Sequence, residues 1–129
     1  MTEFIFLDVK TVKQLHKMQI DNFGGIHGLR DEGMLDSALN RPINKAGYGG
    51  NHVCDLAAAY LFGLARNHAF LDGNKRIAIV TAGVFLMENG FMIQTEEAHL
   101  YQFVMAVASG EIDEDGVSRF LKDHIVPYP

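Results

Sequence analysis

The chain has 129 residues, 48% hydrophobic and 21% charged, with a formal net charge of −5 at pH 7 and one cysteine. This size suits a single domain over residues 1–129 with a full hydrophobic core. The acidic balance excludes a general nucleic-acid or anionic-membrane binder, because both need a broad basic surface. Cys54 can close no internal disulfide and fits a reducing compartment. Met1–Asp8 carries an acid where a secretory leader would be positive, and no apolar stretch is long enough to span a membrane. A soluble, cytoplasmic protein is expected.

In chain order, residues 3–7 read as a short strand and residues 11–23 as an amphipathic helix with Val12, Leu15, Ile20 and Phe23 on one face. The glycine-rich stretch from Gly24 to Asp31 stops it, its glycines serving turn geometry. A short helix over 33–40 ends at Pro42, and residues 43–51 read as a mobile loop or hairpin. Residues 53–66 are apolar all round, which marks a helix at the centre of a core. Residues 77–87 are nearly as apolar, with Asn89-Gly90 as a left-handed cap. A short strand over 91–95 and helices near 97–108 and 114–125, the last with acids at its start, complete the chain. The expected fold is mainly α: a helical bundle with a central buried helix pair and minor β, the N-terminal strand and the hairpin at 43–51.

Between the two apolar helices lies His68-Ala69-Phe70-Leu71-Asp72-Gly73-Asn74-Lys75-Arg76. Residues 66–76 hold three of the eleven basic residues and one acid, so positive charge is concentrated here in an acidic chain and suits a small anion. If Gly73 and Asn74 begin the second helix, its free N–H groups and dipole make an anion site. Gly73 admits close approach of a phosphate, and Lys75 and Arg76 add charge, the arginine as a bidentate fork. Asp72 suits a magnesium ion shared with phosphates. His68 has the intrinsic pKa to deprotonate a hydroxyl near neutral pH. These parts point to phosphoryl or nucleotidyl transfer to a hydroxyl. Taken singly, Asp72 and Asn74 also fit plain helix capping and Arg66 fits neutralising a helix C-terminus; only the combination exceeds that. His16, His27, His52, His99 and His124 read as structural.

The segment His68-x-Phe70-x-Asp72-Gly73-Asn74-Lys75-Arg76 resembles the signature of the Fic/Doc family, H-x-F-x-D/E-G/A-N-G/K-R. Lys75, Phe23-Gly24-Gly25, Gly28-Leu29-Arg30-Asp31 and Leu56-Ala57-Ala58-Ala59-Tyr60 are similar to its death-on-curing (Doc) branch, so the resemblance covers about residues 4–122. It implies a toxin of a toxin–antitoxin pair that uses ATP and Mg2+ to modify a hydroxyl of a target protein. Doc members are protein kinases, with a translation elongation factor as the expected target class and inhibition of translation and growth as the outcome. Carried over, His68 is the base, Asp72 the magnesium ligand, Gly73, Asn74, Lys75 and Arg76 the anion hole, and Arg66 a further phosphate contact. The 43–51 loop falls where the family places a target-docking flap.

Two departures refine this. AMP-transferring Fic proteins carry a second arginine three residues after the first; here that position is Ile79, which favours the kinase reaction over AMP transfer. An inhibitory S/T-x-x-x-E-G/N segment is also missing, so restraint is expected from a cognate antitoxin in trans. The alternatives are AMP transfer to a protein hydroxyl, a metal-dependent phosphohydrolase using His68 and Asp72 as ligands, and a degenerate protein that only binds antitoxin or nucleotide.

Overall fold

The computed structural model describes residues 3–49 and 52–129. Helix α1 (Val9–Phe23) begins where Asp8 Oδ1 accepts the Thr11 N–H at 2.8 Å and ends at Gly24, φ 86°. It buries Val12, His16 and Ile20, a stripe of spacing four. Phe23, expected on that face, is instead 70% exposed, and His16 takes a core position. The four-residue stripe has no place for Phe23, which is the last helical residue.

Helix α2 (Glu32–Gly47) is capped by Asp31, whose Oδ1 accepts the Met34 N–H at 3.0 Å. It runs straight through Pro42, so the expected stop at that residue and the hairpin at 43–51 give way to helix as far as Gly47. Gly50 and Asn51, the last residues of that expected loop, lie outside the described residues. A mid-helix proline frees the carbonyl four residues back, here Ala38, at roughly 3 kcal/mol. Packing offsets this: α2 buries Leu35, Ala38, Leu39 and Pro42. Its backbone at Ala38 is approached so closely by Gly63 that a Cβ there would stand 3.3 Å from Ala38 Cα.

Helix α3 (Val53–Asn67) is the hub and packs against α2 and three further helices: α4 (Asn74–Glu88), α5 (Glu97–Ser109) and α6 (Glu114–His124). Eleven of its fifteen residues are buried, as its all-round apolar pattern requires. Its N-cap is His52, whose Nδ1 accepts the Cys54 N–H at 3.0 Å. Helix α6 is capped by Asp113 through the Gly116 N–H. The expected left-handed turn after α4 falls on Gly90 alone, φ 93°.

The strand expected over 91–95 forms at Phe91–Ile93, whereas the one expected over residues 3–7 does not. There, side chains take the backbone groups of Ile5 and Leu7. The Tyr60 hydroxyl accepts the Leu7 N–H and donates to the Leu7 carbonyl. The Asn89 amide does the same for Ile5. The sheet among the described residues is an antiparallel pair, β1 (Phe91–Ile93) with β2 (Ile125–Pro127), register Phe91↔Pro127. No helix among the described residues is long and apolar enough to cross a membrane.

Candidate active site

The segment 68–76 joins the two most buried helices, and every turn of it is held from outside. His68 ends α3 in the left-handed conformation, φ 50° and ψ 46°, the one non-glycine residue with positive φ among those described. An L-residue reaches that region only when its surroundings impose it. Those surroundings are the Gly28–Asp31 stretch. The backbone N–H groups of Arg30 and Asp31 both donate to the Ala69 carbonyl, at 2.7 and 3.0 Å, and Leu71 donates to the Gly28 carbonyl at 3.0 Å. The Arg30 side chain donates from Nε to the His68 carbonyl at 2.7 Å. The imidazole of His68 is exposed and makes no hydrogen bond to a described residue.

Below this clip Phe70 is buried, and its ring stacks on that of His16 at a centroid separation of 3.8 Å. His16 Nε2 lies 2.7 Å from the Asp72 carbonyl oxygen, to which it donates. Burial, 3% exposure for the residue, lowers the His16 pKa, although the Asp72 carbonyl works the other way. An unfolded histidine titrates near 6.5. Below that pH the unfolded chain takes up a proton that the folded chain refuses, so this contribution to stability is complete above it and shrinks as the pH falls. Urea titrations at pH of about 7 and about 5 are expected to show a larger loss for the wild type than for His16→Gln, a slope that aspartates, which titrate lower, do not mimic. Equal losses would remove His16 from the account.

Asp72 Oδ2 accepts the Ile26 N–H at 3.0 Å and Oδ1 the Gly73 N–H at 2.8 Å. These two backbone donors, Ile26 first, hold its carboxyl below the ordinary aspartate range, with Arg76 and His16 adding to the effect. The approach of the Gly25–Ile26 segment is possible only with glycine at 25: a Cβ there would stand 2.8 Å from Asp72 Oδ2. A Cβ at Gly28 would stand 3.1 Å from Leu71 Cδ1, so Gly25 and Gly28, which sequence patterning assigned to turn geometry, also shape the loop that carries Asp72. Each carboxylate oxygen keeps a lone pair, and hard oxygen donors in this number suit a magnesium ion that draws its other ligands from phosphates and water. Among the described residues no group of three His, Cys, Asp or Glu could hold a metal unaided.

Helix α4 begins at Gly73, φ 74°, with no side chain capping it. A Cβ at Gly73 would press on Ile20 Cδ1 at 3.2 Å. The first turn of α4 contains two cations, Lys75 and Arg76, and no acid, the reverse of what the positive end of a helix dipole prefers. An anion there satisfies both dipole and cations. The side chains from Asn74 to Arg76 differ in what they touch within the protein. The Asn74 amide accepts the Phe70 N–H at 3.0 Å and donates to the Phe70 carbonyl at 2.9 Å, which makes it the brace of the loop. Arg76 Nη1 donates to the Gln19 and Gly24 carbonyls and its guanidinium lies over the Phe23 ring, closing the end of α1. Lys75 is exposed and forms no ion pair with a described residue. Arg66 lies over the Phe62 ring at 5.5 Å, next to Gly110 at the C-terminal cap of α5.

The chain belongs to the Fic/DOC family, whose model matches residues 6–86. It is 32% identical over 111 residues to the protein kinase doc of Escherichia phage P1, an alignment that covers 84% of this chain and 86% of that protein. It is 46% identical over 77 residues to the toxin Doc of Mycolicibacterium smegmatis, covering 57% of this chain and 58% of that one.

Proposed function

We propose that this protein is a Doc-type toxin: a kinase that transfers the γ-phosphate of ATP to a hydroxyl of a target protein, of the translation elongation factor class, and so inhibits translation and growth. The observation that carries the reading is the pairing of an ionised Asp72 with the uncapped, cationic N-terminus of α4, beside an exposed His68. Phosphoryl transfer requires charge neutralisation and positioning more than covalent chemistry, and that is the inventory present. Membership of the Fic/DOC family supports a transferase, and the name of the phage relative, a protein kinase, supports the kinase class.

In this reading the α4 backbone N–H groups and Lys75 bind the phosphates, and Asp72 holds a magnesium ion that shields their charge. His68 takes the proton of the attacking hydroxyl. Arg76 contributes its charge while its Nη1 stays on α1, and Arg66, over the Phe62 ring, is the further phosphate contact. Ile79 lines a cleft with Phe23, Arg76, Glu97 and Tyr101, so the γ-phosphate grip of an AMP transferase has an apolar wall in its place. A cognate antitoxin acting in trans restrains it, the partner that the toxin relatives support.

The test is transfer from ATP labelled in the γ or the α position, with a panel of translation factors and magnesium present. Label is expected to arrive from the γ position alone, and His68→Ala to lower the rate by about 100-fold or more, the usual worth of a general base. Label from the α position would assign AMP transfer instead. Growth arrest that survives His68→Ala would assign a binding role.

A further inference from the structure

We infer that Arg30 is a positioning residue for His68, acting through the ε-nitrogen of its side chain on the His68 backbone rather than through its charge on a substrate. The inference rests on the reading of His68 as the base.

A base is useful only if its ring is aimed, and the direction of the His68 Cα–Cβ bond is set by a conformation that the chain does not prefer on its own. At the end of a helix a residue normally stays right-handed or hands the left-handed turn to glycine. Here histidine makes that turn, and its carbonyl leaves the helix with no intrahelical N–H to receive. Arg30 Nε supplies the donor at 2.7 Å, within the short range of charge-assisted bonds. The same residue donates from its backbone N–H to the next carbonyl, that of Ala69, at 2.7 Å. One residue thus grips two successive carbonyls on the C-terminal side of the strained φ. No ion pair to a described carboxylate competes for the guanidinium, although Arg30 is exposed and carboxylates abound on this chain.

The atom that donates makes the idea separable from a phosphate contact. Glutamine carries its amide nitrogen the same number of bonds from Cα as arginine carries Nε, so Arg30→Gln keeps a donor in place without the charge. Lysine keeps the charge but sets a methylene there, and methionine keeps neither. With wild-type protein, ATP and target, Arg30→Gln is expected to retain kcat within about 3-fold. Arg30→Met should lose about 10- to 100-fold in kcat, the scale of a misplaced catalytic group, with the KM for ATP unchanged. In the His68→Ala background Arg30→Met should cost nothing more. A glutamine variant as poor as methionine, rescue by lysine where glutamine fails, or an equal further loss on top of His68→Ala would each overturn the inference.

A second readout needs no activity. The backbone resonances of His68 should move in Arg30→Met and hold in Arg30→Gln; if they are the same in both variants as in the wild type, Arg30 does not position His68. If wild-type protein transfers no phosphate, or His68→Ala is fully active, the functional reading fails and these resonances alone decide the positioning.

Discussion

Gly25→Ala is expected to lower phosphoryl transfer by about 100-fold, while Gly24→Ala, one residue earlier, leaves most of it. Both glycines have positive φ, 86° at Gly24 and 124° at Gly25, outside the left-handed helical well, so both substitutions carry backbone strain of order 1–3 kcal/mol. They differ in what the new methyl group meets. At Gly24 it points into open space; at Gly25 it lies 2.8 Å from Asp72 Oδ2 and 2.9 Å from Ile20 Cδ1. Relief requires the Gly25–Ile26 segment to back away, which withdraws the Ile26 N–H from the carboxylate, or Asp72 to turn. Either displaces the proposed magnesium ligand by a fraction of an ångström to an ångström, a range over which rates fall steeply. Thermal unfolding should rank the variants in the same order, with Gly25→Ala the less stable by about 1–3 kcal/mol from overpacking. Equal loss of activity in the two variants would mean that strain alone matters and that Gly25 has no special relation to Asp72.

The second large effect concerns Asn74. Were its amide a phosphate ligand only, Asn74→Asp would weaken nucleotide binding and leave the free protein as stable as before. Its two hydrogen bonds to Phe70 predict the opposite emphasis. Aspartate can still accept the Phe70 N–H, but it brings a carboxylate oxygen against the Phe70 carbonyl, with no proton between them. The lost bond and the unsatisfied pair cost about 1–3 kcal/mol, seen as a drop in Tm of several degrees without any ligand present. Activity should fall with it, because Phe70 anchors the loop on which Asp72 sits. Denaturant titration of the free protein checks this, and an unchanged midpoint would return Asn74 to the phosphate set.

These two residues show how much of the site could be read from the chain. The types and spacing of His68, Asp72, Gly73, Lys75 and Arg76 point, in the sequence alone, to the proposed anion site with a base beside it, because such a cluster between two apolar helices has no cheap structural purpose. The side chains assigned to the anion could not be sorted further. Whether Asn74 faces a ligand or Phe70, and whether Arg76 is free or tied to the Gln19 carbonyl, depends on neighbours that no local pattern encodes. Ile26 reaches Asp72 across 46 positions and Arg30 reaches His68 across 38. Glycines at 25 and 28 were legible as turns; the carboxylate and the leucine beside them were not.

The same division runs through the fold. Helices were determined by the chain itself where periodicity and caps agree, since both act within one or two turns: Asp113 starts α6, Gly24 stops α1, and the all-apolar run around Ala58 had to be central. Tertiary structure decided the cases in which a local preference met a larger energy. Burial of α2 against α3 at Gly63 carried the helix through Pro42. Tyr60 and Asn89 took the hydrogen bonds that would have made residues 3–7 a strand, and Ile125–Pro127, past the end of α6, supplied the partner of the expected strand at Phe91–Ile93. It also decided that His16, polar and unremarkable in the sequence, lies buried under Phe70 and supports Asp72. A side chain's local preferences are worth a kilocalorie or so, and the core outweighs them by summing many contacts that only the folded chain brings together.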